Sequence, residues 1–162
     1  MAETFTRFPL LFDLSGKNIL FIGGGKVAER KLLTIINFSP NVTLVAPAVT
    51  EKINELAQKK QINMIISGFR KNMLTSKYSF VFIATDDYEL NKRIMSMCKS
   101  LKIPVNVADN PECSDFHIPA VITDYQSEIL LSVSTNGKNP SKSKKIKEKL
   151  IKFIKNGGFD KI

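Results

Sequence analysis

Apolar positions along this chain come in two kinds of run, and the two alternate. Short, nearly continuous ones occupy residues 19–22, 42–45, 62–66 and 80–84, with a briefer one at 105–107. Runs of this length predict strands, and the continuous ones predict burial on both faces. Between them the spacing changes to that of amphipathic helices. Ala28, Leu32, Ile35 and Ile36 fall on one helical face, and Phe38-Ser39-Pro40-Asn41 ends it. Thr50 is placed to cap a second helix with Ile53, Leu56 and Ala57 inward. Leu90, Ile94, Met97, Cys98 and Leu101 mark a third. This β-α-β-α-β order predicts a parallel, doubly wound α/β sheet of Rossmann-like type, with right-handed crossovers.

Past residue 109 the rhythm differs. "FHIPAVIT" and "ILLSVS" are strand-like runs separated by "DYQSE", spaced for a hairpin. Ile146, Leu150, Phe153 and Ile154 then line one side of a lysine-rich helix. The expected division is a nucleotide-binding domain over residues 1–109 and a small β-β-α subdomain over 110–162.

The three glycines between the first strand and the first helix give that domain its expected chemistry. A glycine turn there lets phosphates approach the backbone and meet unpaired N–H groups at the positive end of the helix dipole. Gly23, Gly25 and Ala28 fit the G-x-G-x-x-G/A dinucleotide spacing, in the required strand–turn–helix context. The acid that usually holds the ribose about 20 residues on is missing, since the second strand runs into Ala46-Pro47-Ala48. Spacing therefore leaves NAD and NADP both open.

Composition narrows the classes. With 43% hydrophobic residues the chain has enough for a core, and no apolar run approaches the ~20 residues of a membrane span. The N-terminus lacks the basic start and cleavage site of a signal peptide, so the expected location is cytoplasmic. Two cysteines, Cys98 and Cys113, and one histidine, His117, predict neither a permanent metal centre nor a disulfide framework. Cys98 reads as a core residue and His117 as a packed or surface residue within the strand-like run. Nine of the 24 Lys and Arg lie in residues 138–162 against two acids, so the net charge of +9 is concentrated in the tail. That tail offers only Phe153 and Phe159 as stacking platforms, and no nucleic-acid partner is expected.

Longer motifs add a resemblance. "FPLLFDLSGKNILFIGGGKVAERK", "VTLVAP", "FIATDD", "VNVADNPECSDFHIPAVI" and "LLSVSTNGKNP" follow one another in the order seen in siroheme synthases. The likeness is to their precorrin-2 dehydrogenase/sirohydrochlorin ferrochelatase module, and it covers roughly residues 8–150. It implies oxidation of precorrin-2 to sirohydrochlorin with NAD as hydride acceptor, in a homodimer. In bifunctional members the same cleft then inserts ferrous iron, which makes Fe²⁺ a candidate substrate.

Carried over position by position, the resemblance places Gly23, Gly24, Gly25, Lys26 and Val27 at the pyrophosphate. It places Ala46, Pro47 and Ala48 beside the adenosine ribose and Thr85 and Asp86 near the cofactor. Asp109 stands at the catalytic aspartate. Ser134 and Thr135 match a pair facing the active site, with turn or cap bonding the equal alternative. A substrate with eight carboxylates would also employ Lys142, Lys144 and Lys145. The chain departs from the family where "NGKNP" and "SKSKKIKEKL" replace "GGxSP" and an arginine-containing helix, on the side of substrate and dimer contact. The reading held against this enzyme is an NAD(H)-binding regulatory module without catalysis.

Overall fold

The structure is a computed structural model that describes residues 7–108, 110–124 and 128–158. Five strands, β1 (Asn18–Ile22), β2 (Asn41–Ala46), β3 (Asn63–Ile66), β4 (Phe80–Ile83) and β5 (Val105–Val107), form one sheet in the order β3-β2-β1-β4-β5. Every pairing is parallel; Ile22 lies opposite Val45 on one side and Ile83 on the other. The crossovers carry α1 (Lys26–Ile35), α2 (Glu51–Gln58) and α3 (Tyr88–Ser100). The doubly wound reading is thus the observed architecture.

Alternation along the strands builds a core on both faces of the sheet. Leu20, Ile22, Val81, Ile83, Val105 and Val107 pack with Ile94 and Cys98 of α3 and with Leu74 and Tyr78. The other register carries Phe21 stacked on Phe82, with ring centroids 4.5 Å apart. Phe116 meets Phe80 and Phe82 edge-on, each at 5.3 Å. Ala28, Leu32 and Ile35 are the buried stripe of α1. That helix stops one residue before Ile36, which opens a 3₁₀ turn (Ile36–Phe38) closed by Ser39 at φ 53°. Thr50 caps α2, its hydroxyl accepting from the Ile53 amide at 3.3 Å.

The free edge of β5 is covered by side chains. The Val105 amide donates to Asp115 Oδ2 at 2.9 Å, and the Asp115 amide returns a bond to the Val105 carbonyl at 2.9 Å. The buried Ser114 hydroxyl accepts from the Val107 amide at 2.9 Å. Asn106 Nδ2 donates to the Phe116 carbonyl at 2.7 Å. A short edge strand sealed in this way offers nothing to a foreign strand.

The chain divides into two compact units, one spanning Leu11–Phe116 and one joining the described residues before Leu11 to those from His117 onward. In the latter, β6 (Ala120–Asp124) and β7 (Ile129–Val133) form an antiparallel pair, followed by α4 (Pro140–Lys155). His117 precedes the ladder rather than lying in it. Pro119 has no N–H to give a sheet, and the pairing begins after it, at Ala120. Among the described residues no helix is long and apolar enough to cross a membrane.

Candidate dinucleotide site

Ligands in a sheet of this order bind beyond the carboxyl ends of the strands where the winding reverses, here between β1 and β4. The glycines sit at that point, and each answers to a different neighbour. Gly23 has φ 110°, and a Cβ on it would run into the Ala84 carbonyl and lie 3.1 Å from the Thr85 nitrogen. A Cβ on Gly24 would collide with the Ala48 carbonyl, 2.8 Å from Val49 and 3.0 Å from Ala46. These two glycines let the loop pass between the ends of β2 and β4. The Gly23 amide donates to the Val45 carbonyl at 2.9 Å, and the Gly24 carbonyl accepts from Thr50 at 3.0 Å.

Gly25 is the open one. It is the N-cap of α1, no side chain caps the helix there, and a Cβ would meet nothing within 4 Å. A helix start without a capping side chain, facing clear space, suits an anion held by backbone N–H groups. The residues therefore fit the phosphates of a dinucleotide. Lys26 is exposed and tied to Glu29 at 3.2 Å. The Thr50 hydroxyl, and after it Lys26, holds the Glu29 carboxyl below its usual range. Val27 is 43% exposed, an apolar surface on the first turn of α1.

The structure brings Gly23, Gly24, Ala46, Ala48 and Thr85 together across three strand ends. Ala46 is buried, while Pro47, Ala48 and Asp86 are exposed. Asp87 caps α3, its Oδ1 accepting from Leu90 at 2.9 Å. Asp109 lies outside the described residues. On either side of it, the Ala108 amide donates to the Ile83 carbonyl at 2.9 Å and Asn110 Oδ1 accepts from Cys113 at 3.3 Å. A cleft of about 100 Å³ opens beside this loop, lined in part by Asn91, Val107, Asn110 and Cys113.

The remaining candidates belong to the other unit. The Ser134 hydroxyl accepts from Asn136 at 3.1 Å, and Thr135 Oγ1 accepts from Asn139 at 3.1 Å and contacts Ser143. Both thus make local turn bonds, and Asn139 itself caps α4. Lys142, Lys144 and Lys145 are exposed along that helix.

Burial shifts the protonation of two further groups, the buried Cys98 and the half-buried Lys31. Burial, helped by Asp115, pushes the Cys98 thiol up to about 12, which keeps it an inert core residue. Burial lowers Lys31 of α1 to about 8. Among the described residues no three His, Cys, Asp or Glu side chains gather as a metal group.

Sequence reasoning passed over Asn91, which is 2% exposed on the apolar side of α3 and bonded to Thr85. A polar residue between Leu90 and Ile94 on a core-facing stripe was the available signal. Ser114 carried less signal, because "DNPECSDF" reads as turn chemistry wherever its hydroxyl points.

Fold and loop together define a nicotinamide-dinucleotide-binding α/β protein. A family model described as "Putative NAD(P)-binding" matches residues 10–120. Siroheme synthase from Psychrobacter sp. (strain PRwf-1) is 33% identical over 150 residues, 93% of this chain and 30% of that protein. Siroheme biosynthesis protein met8 of Schizosaccharomyces pombe is 36% identical over 141 residues, 86% of this chain and 53% of that one. The solved structure of SirC, a precorrin-2 dehydrogenase, superposes with a TM-score of 0.70 at 30% identity, covering 89% of this chain and 69% of that one. The chain belongs to the family of siroheme synthase N-terminal modules. It spans about a third to a half of the length of these curated relatives.

Proposed function

We propose that the chain oxidises precorrin-2 to sirohydrochlorin with NAD⁺ as the hydride acceptor. The observation that carries this reading is the clear space at Gly25, at the uncapped start of α1 and the switch point of the sheet. The amides of Gly25, Lys26 and Val27 bind the pyrophosphate, and Ala46, Pro47 and Ala48 flank the adenosine ribose. Thr85 and Asp86 border the other half. NAD is favoured over NADP because residues 46–51, from the end of β2 to the start of α2, include no Lys or Arg cation for a 2′-phosphate. The nearest one along the chain, Lys52, is held by Glu55 at 2.7 Å.

The bound nicotinamide supplies a two-electron acceptor. The chain supplies orientation and a base: Asp109, following β5, accepts the proton lost as the macrocycle gains its double bond. The same carboxylate would take pyrrole protons if Fe²⁺ is inserted afterwards. Lys142, Lys144 and Lys145 attract the carboxylate-rich substrate, and Ser134 and Thr135 shape the turn that leads into their helix.

The working form is a homodimer. In the second unit Leu130 is 40% and Phe153 51% exposed, and the inward residues of α4 are only half-buried, a pattern that a second copy would cover. The test is Asp109→Ala in an anaerobic assay with precorrin-2 and NAD⁺. Turnover should fall at least about a hundredfold while NAD⁺ affinity holds. Normal turnover would remove Asp109 from the mechanism.

A further inference from the structure

Asn91 stands within the hydrogen-bond reach of Thr85 on two sides. Its Nδ2 donates to the Thr85 carbonyl at 3.0 Å, and the Thr85 hydroxyl donates to its Oδ1. The polarity of this pair is forced. A backbone carbonyl can only accept, so the amide must turn its NH₂ toward it, and its oxygen then faces the hydroxyl. That oxygen can only accept as well, which commits the single proton of Thr85 Oγ1 to it. The competing acceptor, the Asp87 carbonyl, is 3.5 Å away and already receives the Asn91 amide at 2.9 Å.

Thr85 is half-buried just past the end of β4, its backbone nitrogen 3.1 Å from where a Cβ on Gly23 would lie. With that proton committed, its hydroxyl has lone pairs alone to offer a ligand. Deleting the buried Asn91 would free that proton and release the β4 end from α3.

We infer that Asn91 is a positioning residue that turns the Thr85 hydroxyl into an obligate acceptor for an N–H or O–H donor on the nicotinamide-riboside half of the cofactor. This deepens the proposed function and rests on it. The dinucleotide crosses the crevice with its pyrophosphate at Gly25 and its adenosine toward β2, which leaves the β4 side to the other half. Two groups there could donate: the carboxamide and the ribose hydroxyls.

Titration of the full chain and its Thr85→Val, Thr85→Ser and Asn91→Ala variants with NAD⁺, ADP-ribose and ADP tests this. Thr85→Val, which keeps the side-chain shape, should weaken NAD⁺ about three- to tenfold and leave ADP unchanged. Thr85→Ser should bind like the wild type. A loss for NAD⁺ alone identifies the carboxamide as donor, and a loss shared by ADP-ribose identifies the ribose. Asn91→Ala should reproduce the pattern and add nothing when combined with Thr85→Val. Equal losses for all three ligands, full additivity, or no loss would overturn the inference. Failure of the wild type to bind any of the three would instead overturn the functional reading beneath it. Should Asn91→Ala not fold, Thr85→Val against Thr85→Ser still decides.

Discussion

Gly23, Gly24 and Gly25 look alike in the sequence and are required for different reasons. The first two make room for the Ala84 and Ala48 carbonyls, and the third has open space beside it. Gly23→Ala combines a left-handed φ with a backbone collision, so thermal unfolding should show a loss of about 2 kcal/mol or more. Gly25→Ala should leave the melting temperature almost unchanged while NADH binding, followed by fluorescence, weakens. That glycines fill the turn between strand and helix is legible in the sequence. Which of them has open space beside it is not, because that depends on carbonyls 24 and 61 residues downstream of the loop. Lys31 makes a second residue-scale test. Its pKa falls from 10.5 to about 8 on folding, so from about pH 8 to 10.5 the unfolded chain holds a proton that the folded one lacks. The wild type should gain stability relative to Lys31→Met as pH rises through that window, and Lys31→Met should be the more stable by about 1 kcal/mol at pH 7. Melting curves for both proteins across pH check the sign.

At the level of elements, hydrophobic spacing located the five strands and three helices of the first unit, because burial on a parallel sheet imposes continuous apolar runs and helical stripes. It was less informative where polar side chains replace backbone pairing. The edge of β5 is closed by Ser114 and Asp115 of the following loop and by Asn106 within the strand, polar residues whose partners no spacing displays. Ser114→Ala leaves the Val107 amide without its acceptor in a buried position. Denaturant unfolding should register about 1–3 kcal/mol of lost stability. A loss within experimental scatter would mean that β5 keeps its edge by backbone contacts alone. The first half of "FHIPAVIT" has the apolar content of a strand but lies outside the ladder, which starts at Ala120 after Pro119.

On the scale of the molecule, Lys142, Lys144 and Lys145 of α4 are exposed, and so are Leu130 and Phe153 of the second unit. Neutralising Lys142, Lys144 and Lys145 together should raise the KM for precorrin-2 at low salt, and the difference should shrink as salt rises. A KM unchanged at low salt would mark the lysines as a solvated face. The fold class and the glycine turn could be read in one dimension because each is local or periodic. The exposure of Leu130 and Phe153 could not, because it depends on packing between elements distant in sequence. The most direct measurement is anaerobic turnover of the purified chain with precorrin-2 and NAD⁺, with NADH and sirohydrochlorin recorded in the same cuvette. One NADH should form for each sirohydrochlorin. Tight NAD⁺ binding with no NADH produced, or sirohydrochlorin formed without it, would contradict the account.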